Sequence, residues 1–115
     1  LMIDTAEKGY TETYLKKYRK MYPILGMVGK PKNYGRFLVN ARAILGFDVQ
    51  EELGRITCPT YIIAGGADKT VGVDASYVMK ERIAKSELYV YADLGHAAYE
   101  EAKDFYHRVY EFLEG

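Results

Sequence analysis

The sequence predicts an α/β protein in which a helical segment, residues 1–55, precedes a βαβα unit with two parallel strands, residues 56–115. Two short runs rich in β-branched and aromatic residues, at positions 60–64 and 87–91, are each followed by apolar residues at helical spacing. Strands that alternate with helices in this way are typical of a parallel sheet with a right-handed crossover. Before residue 55 the periodicity is helical throughout, so the boundary between the two parts falls there.

The helical segment contains three predicted helices. Tyrosines recur at intervals of four residues between positions 7 and 25, which predicts a first helix with an aromatic stripe formed by Tyr10, Tyr14, Tyr18 and Tyr22. A second helix follows Pro31 and ends at Gly46, and a short third helix runs from Asp48 to Gly54. The tyrosine stripe either belongs to a core or lines a pocket for an acyl or aromatic group.

In the α/β part, Pro59 and Gly65 bound the first predicted strand, Thr60–Ala64, and the second is Glu87–Tyr91. A continuous apolar strand of this kind suits a parallel sheet that is buried on both faces. The apolar residues between the strands predict one helix, and those from Ala102 to Leu113 predict a closing amphipathic helix.

The composition is that of a globular protein. Of the 115 residues, 49% are hydrophobic and 28% are charged, and 16 basic residues balance 16 acidic ones. A chain with no net charge lacks the basic field that recruits nucleic acid or an anionic membrane surface, and no apolar run is long enough to span a bilayer. The single cysteine, Cys58, cannot form an internal disulfide, which fits a reducing compartment. We therefore expect a cytoplasmic protein that binds neither nucleic acid nor membrane.

The beginning of the sequence does not resemble a natural start. It opens on Leu1 and lacks the basic start and long apolar stretch of a secretory signal. We expect the chain to be the C-terminal piece of a longer protein.

Two potentially reactive side chains follow the two predicted strands. Asp68 comes after the first strand in "AGGADKTV", and His96 comes after the second in "ADLGHAAYEE". Because the carboxyl ends of parallel strands lie at one edge of the sheet, we expect the carboxylate and the imidazole to be hydrogen-bonded neighbours. A carboxylate that orients a histidine base is one half of a nucleophilic triad, and the small residues around His96 would leave its ring room to face a substrate.

From Ile56 to Gly115 the sequence resembles the C-terminal part of an α/β-hydrolase. "ITCPTYIIAGGADKTV" is similar to the family's seventh strand and acid turn, "SELYVYADLGHAAYEE" to its eighth strand and histidine loop, and "FYHRVYEFLEG" to its closing helix. Asp68 precedes His96 by 28 residues, which agrees with the family's order of nucleophile, acid and histidine. Residues 1–55 are compatible with the family's cap and return helices.

The resemblance implies the C-terminal portion of a serine-type hydrolase that acts on an ester, lactone, thioester or amide. Asp68 would be the acid and His96 the base, the partner would be a small-molecule carbonyl substrate, and neither a metal nor an organic cofactor is implied. A related alternative keeps the fold and uses an aspartate nucleophile. A second alternative is a non-catalytic, hydrolase-derived module that binds a partner or a hydrophobic ligand.

The nucleophile of such a site is missing from this sequence. The family places it in G-x-S-x-G, whereas the two serines here, Ser76 and Ser86, have no flanking glycines. Cys58 precedes the first strand, about 16 Å from His96, and is expected to be a buried structural residue. We therefore expect the chain alone to be inactive.

Four further residues lie near these motifs or on the last helix. Asp74 is an alternative acid, but its position after Val73 predicts that it caps the next helix. Asp93 lies too close to His96 in a tight loop, and His107 is expected on the solvated face of the last helix. Gly72 stands where the family often has proline, which would loosen the acid loop.

The first predicted strand also has an uncovered edge. In the family it has a neighbour on each side, and only one of the two is present in this sequence. Because a two-stranded sheet is marginal and an open apolar edge templates pairing, we expect the chain to associate with a copy of itself or with the missing N-terminal half.

Overall fold

The computed structural model describes residues 2–28 and 33–115, so that Leu1 and Pro31 lie outside the described residues. Seven α-helices, two 3-10 helices and one two-stranded sheet are described. In chain order they are α1 (Met2–Gly9), α2 (Glu12–Tyr18), a 3-10 helix (Arg19–Met21), α3 (Tyr22–Val28), α4 (Tyr34–Leu45), a second 3-10 helix (Gln50–Arg55), β1 (Thr60–Gly65), α5 (Asp74–Arg82), β2 (Ser86–Tyr91), α6 (Ala98–Glu101) and α7 (Phe105–Glu114).

The tyrosine-bearing helix is not continuous, in contrast to the sequence prediction. Thr11 has an extended backbone, with φ −71° and ψ 155°, and its hydroxyl accepts a hydrogen bond from the Tyr14 N–H at 3.3 Å. Thr11 is thus the N-cap of α2, two residues after the end of α1. The 3-10 helix Arg19–Met21 then separates α2 from α3. The side-chain spacing is helical, but the capping threonine interrupts the backbone.

The tyrosine side chains remain in contact across this break and line a cavity. The rings of Tyr10 and Tyr14 are stacked, with centroids 4.6 Å apart and planes 6° from parallel, and Tyr18 follows at 4.7 Å from Tyr14. Together with Leu15 and Tyr22 they wall a cavity of about 240 Å³ among the first three helices. The stripe therefore serves both as packing and as a cavity wall.

The sheet is parallel, as the sequence predicts. Thr60 pairs with Ser86 at one end and Gly65 with Tyr91 at the other, without an interruption in the register. Helix α5 connects the strands and packs on both of them. Contacts with α7 also involve both strands, because the Tyr61 ring stacks on Phe112 with centroids 5.1 Å apart and the Arg108 guanidinium lies 3.7 Å from the centre of the Tyr89 ring.

The core is small. Its buried hydrophobic side chains come from α2, β1, the loop after α5, and the turn into α6, and they are Leu15, Ile62, Ile83, Ala97 and Ala98. Many large apolar side chains are exposed instead, particularly on α3 and α4, where Ile24, Met27, Val28, Tyr34, Val39, Ile44 and Leu45 are all more than 60% exposed. A monomer rarely exposes this much apolar surface. No helix in the described part of the chain is long and apolar enough to cross a membrane.

Ile83 and Ile44 provide a matched pair for testing where the core lies. Ile83 is 2% exposed and Ile44 is 74% exposed. Ile83→Ala removes buried methylene groups and leaves a cavity, so it should lower the free energy of unfolding by about 2–5 kcal/mol. Ile44→Ala should change it by less than about 0.5 kcal/mol. Urea unfolding of the two variants measures both values, and equal losses would contradict this location of the core.

Candidate active site

The loops that follow β1 and β2 are joined by main-chain hydrogen bonds. The Gly66 N–H donates to the Tyr91 carbonyl at 2.8 Å, and the Ala67 N–H donates to the Leu94 carbonyl at 2.9 Å. These bonds extend the parallel ladder beyond the strands. The loop that carries Asp68 and the loop that carries His96 therefore leave the same edge of the sheet together.

Asp68 and His96 form the hydrogen bond that the sequence predicts. The Oδ2 atom of Asp68 lies 2.9 Å from Nδ1 of His96. The side chain of Asp68 is 7% exposed, whereas that of His96 is 48% exposed. A buried carboxylate that accepts a hydrogen bond from Nδ1–H favours the histidine tautomer whose lone pair is on Nε2. This lone pair is therefore on His96, the more exposed residue of the two.

The backbone fixes the other oxygen of the Asp68 carboxylate. Its Oδ1 atom accepts from the Thr70 N–H at 2.7 Å and from the Val71 N–H at 3.1 Å. Burial alone would raise the pKa of Asp68, but the hydrogen bonds from His96, Thr70 and Val71 outweigh it and hold that pKa below its ordinary value. The carboxylate is thus ionised and oriented before any ligand arrives.

Two glycines allow the histidine loop to approach its neighbours. A Cβ atom at Gly65 would lie 2.0 Å from the Gly95 carbonyl oxygen, and one at Gly95 would lie 2.7 Å from the Gly9 carbonyl oxygen. The loop is therefore held between the end of β1 and the end of α1. Ala97 and Ala98 are each 4% exposed, so these small side chains pack the loop in place, while the His96 side chain remains 48% exposed.

A cavity of about 250 Å³ lies beside the pair. Asp68 and His96 both line it, and its apolar wall includes Met79, Tyr99 and Phe105. A pocket of this kind, with mostly apolar walls and two convergent polar groups, suits a small organic ligand.

One of the two serines lines the same cavity as Asp68 and His96, and the other lies at the start of β2. Ser76 is a buried residue of α5 that lines the cavity, and Ser86 begins β2, where its hydroxyl donates to the Ile83 carbonyl at 2.7 Å. Among the described residues no serine hydroxyl hydrogen-bonds to His96, and no three His, Cys, Asp or Glu side chains converge as metal ligands would.

Two expectations about single residues are wrong. Cys58 is exposed rather than buried, because the chain before β1 runs over the surface. Asp74 does not cap α5, since the cap position is Val73 and no side chain accepts a bond there; Asp74 is instead the first helical residue. The acid that contacts His96 is Asp68.

The remaining two residues lie where the sequence placed them. Asp93 is exposed in the turn after β2. The His107 side chain is 71% exposed on α7, where its Nε2 lies 3.4 Å from Glu111.

The sequence analysis missed a contact between the histidine loop and the first helices. The Ala97 N–H donates to the Gly9 carbonyl at 2.9 Å, and the Glu101 carboxylate accepts from the Thr11 N–H at 2.8 Å. A threonine before a helical run signals an N-cap, but a single sequence carries no signal that pairs Thr11 with a residue 90 positions later.

The hydrogen bonds of Asp68 predict how stability depends on pH. Because its folded pKa is below the unfolded value of about 4, the ionised group stabilises the fold above that pH, and the contribution is lost as the pH falls through the folded pKa. Asp68→Asn should therefore lower the free energy of unfolding at pH 7, and its difference from the wild type should shrink below about pH 4. Urea titrations from pH 7 to 3 measure this, with exposed Asp93→Asn as the control. A difference that stays constant over the whole range would contradict the analysis.

Comparison with known proteins relates part of the chain to a hydrolase. No family model matches the sequence. Over 67 residues, 57% of this chain, it is 42% identical to the 2-hydroxy-6-oxononadienedioate/2-hydroxy-6-oxononatrienedioate hydrolase of Klebsiella pneumoniae subsp. pneumoniae. The matched region is 23% of that protein, so the chain spans about a quarter of the length of the relative. This similarity supports a hydrolase relationship for that region, and the mixed helix–strand structure with its parallel sheet is compatible with a partial α/β fold.

Proposed function

We propose that this chain is the C-terminal portion of a serine-type α/β-hydrolase and supplies the acid and the base of its catalytic triad. The observation that carries the proposal is the 2.9 Å hydrogen bond between the buried Asp68 carboxylate and the half-exposed His96 ring. A pair with this division of burial, at the carboxyl edge of a parallel sheet, is what nucleophilic catalysis requires of its acid and base.

In the proposed reaction the nucleophile's hydroxyl oxygen bonds to the substrate carbonyl carbon while its proton moves to Nε2 of His96. Asp68, bonded to Nδ1, stabilises the imidazolium that forms. When the tetrahedral intermediate collapses, the leaving group takes this proton and an acyl-enzyme remains. A water molecule then gives a proton to His96 and attacks the acyl carbon, and the released nucleophile takes the proton back.

The nucleophile of this proposal lies outside the described residues. The Ser86 hydroxyl is held by main-chain carbonyls at the amino end of β2, and Cys58 precedes β1 at that same end of the sheet. Six residues of β1, at about 3.3 Å each, separate Cys58 from the edge where His96 lies. The proposal takes this nucleophile to be a serine, and the alternative keeps the fold and uses an aspartate.

The proposed substrate is a small carbonyl compound. Esters, lactones, thioesters and amides satisfy the reaction above. The name of the Klebsiella relative denotes a hydrolase of 6-oxo dicarboxylic acids, and a 6-oxo group is also a carbonyl. We therefore include oxo acids in the proposed substrate class, and an activated ester and a 2-hydroxy-6-oxo dienedioate are the two probes to compare.

Variants of the complete protein test the proposal. His96→Ala removes the general base and should lower kcat/KM by roughly 10²–10⁴-fold. Asp68→Asn should lower turnover by roughly 10⁴-fold, by analogy with the orienting acid of serine proteases. The matched control is His107→Ala, which removes an exposed histidine from α7 and should leave hydrolysis unchanged.

Two outcomes would contradict the proposed roles. A His96→Ala enzyme that turns over both probes normally would remove the base from the mechanism. Turnover of either probe by the 115-residue chain alone, abolished by His96→Ala, would show that this sequence contains a nucleophile after all.

Association belongs to the same proposal, because a portion of a hydrolase must complete its sheet. The Thr60 N–H donates to the Lys85 carbonyl at 2.9 Å and the Gly66 N–H donates to the Tyr91 carbonyl at 2.8 Å, so both point toward β2. By the two-residue alternation of a strand, the N–H groups of Tyr61 and Ile63 point to the open edge of β1. We propose that this edge, with the exposed apolar face of α4, pairs with a copy of the chain or with the rest of the hydrolase.

Sedimentation and hydrogen exchange measure this association. At micromolar concentration the 115-residue chain should sediment as a dimer or a larger species. In that species the Tyr61 and Ile63 amides should exchange more slowly than on dilution. A stable, non-aggregating monomer that already protects these two amides would contradict the proposal.

A further inference from the structure

A set of hydrogen bonds joins the first two helices to the histidine loop. We use the name helix–loop junction for residues 9–14 together with residues 95–101. Five hydrogen bonds cross it: Ala97 N–H to Gly9 O at 2.9 Å, Thr11 N–H to Glu101 at 2.8 Å, the Thr11 hydroxyl to Glu101, the Tyr10 hydroxyl to Glu100 at 2.9 Å, and the Tyr14 hydroxyl to Glu100 at 3.3 Å. The two parts of the chain thus meet at the loop that carries His96.

Glu101 is the residue of this junction with the most specific geometry. One oxygen of its carboxylate accepts from the Thr11 N–H and the other accepts from the Thr11 hydroxyl. Thr11 is at the same time the N-cap of α2, through its contact with the Tyr14 N–H. Glu101 therefore holds the cap residue of α2, in the turn that joins α1 to α2, and these charge-assisted bonds are stronger than neutral ones.

The residues on both sides of His96 contact the end of α1. Gly95 lies so close to the Gly9 carbonyl oxygen that a Cβ atom would be 2.7 Å from it, and Ala97 donates its N–H to that same oxygen. His96 itself is bound to Asp68 on its other side. A shift of the α1–α2 turn would therefore move the main chain on both sides of the histidine, because the closely packed backbone leaves no free space between them.

We propose that Glu101 is a positioning residue for His96. By holding Thr11, it keeps Gly9 against Gly95 and Ala97, and so keeps the imidazole in reach of Asp68. The catalytic consequence rests on the proposed function, whereas the structural coupling does not. A base misplaced by about 1 Å costs on the order of 10²-fold in rate, so a support of this kind is part of the site although it does not touch the reacting atoms.

Three variants of the chain separate this role from general stability. Glu101→Ala removes both acceptor oxygens. Glu101→Gln keeps a carbonyl oxygen for the Thr11 N–H and places an amide N–H₂ where it can donate to the Thr11 hydroxyl. Glu111→Ala is the matched control, since it removes a carboxylate from the exposed surface of α7.

The readouts are the exchange rate of the Ala97 amide and the ¹⁵N and ring-proton NMR signals of His96, neither of which needs enzyme activity. In Glu101→Ala, Ala97 should exchange on the order of tenfold faster, and the His96 ring signals should shift, because local opening of the junction frees the loop. The amides of β2 should keep their wild-type rates. Glu101→Gln, which keeps weaker neutral bonds, should show a smaller change than Glu101→Ala, and Glu111→Ala should resemble the wild type.

Two results would overturn the proposal. The first is wild-type Ala97 exchange and wild-type His96 signals in Glu101→Ala. The second is faster exchange by the same factor at Ala97 and throughout β2, which would give Glu101 a role in stability alone. If Glu101→Ala does not fold, Thr11→Val replaces it, because valine keeps the shape and the backbone bond but loses the hydroxyl donor to Glu101. Valine also loses the cap acceptor for the Tyr14 N–H, so the exchange rate of the Tyr14 amide is measured beside that of Ala97 to identify the effect of the lost cap. The same change in a smaller amount is expected for Thr11→Val, and no change would equally overturn the proposal.

Failure of this proposal and failure of the proposed function give different results. If His96→Ala leaves hydrolysis by the complete protein unchanged, the triad proposal fails whatever Glu101 does. If His96→Ala abolishes hydrolysis while Glu101→Ala leaves the Ala97 and His96 signals unchanged, the triad stands and the positioning role fails.

Discussion

The parallel pairing of β1 and β2 is the constraint on which the rest of the structure depends. The unbroken register brings Gly65 and Tyr91, the last residues of the two strands, side by side. The ladder continues into the loops through Gly66 and Ala67, so the acid and the histidine emerge from one edge a hydrogen bond apart. The strands have six residues each, and a two-stranded sheet has marginal stability in isolation. The helices packed on the sheet and the helix–loop junction therefore help to stabilise this edge.

The two ionisable groups of the site lie in different environments, one buried and one half-exposed. Asp68 is surrounded by donors and hidden from solvent, which fixes its charge and its direction. His96 has one ring nitrogen hydrogen-bonded to Asp68 and a half-exposed side chain that lines a largely apolar cavity, so its second nitrogen remains available for another hydrogen bond. The arrangement is directional, because the buried carboxylate fixes the orientation of an imidazole whose side chain is half-exposed.

The sequence predicted the features that follow from local pattern and chirality. The strands at Thr60 and Glu87 were found within one residue, and the meeting of Asp68 with His96 follows from the rule that parallel strands point their ends to one edge. One local feature was missed: the break at Thr11 arises because a capping hydroxyl three residues before Tyr14 overrides the helical spacing of the tyrosines. Features that depend on distant residues were also missed, and the exposure of Cys58 is one of them, because it depends on what packs over it. The pairing of Glu101 with Thr11 had no local signal at all.

The close contact of Gly65 with Gly95 affects how loss of function in this protein should be interpreted. Both glycines lie against main-chain oxygens that a side chain would strike, while a Cβ atom at Gly9 would meet open space. A survey that replaced every residue and scored only survival of activity would rank Gly65 and Gly95 beside Asp68 and His96. Asp68 and His96 are ionisable side chains joined by a hydrogen bond, whereas Gly65 and Gly95 leave space for the backbone. Intolerance to substitution would therefore mark every position where the main chains approach closely, and only the chemistry of each replacement would separate the ionisable pair from the glycines that make room for it.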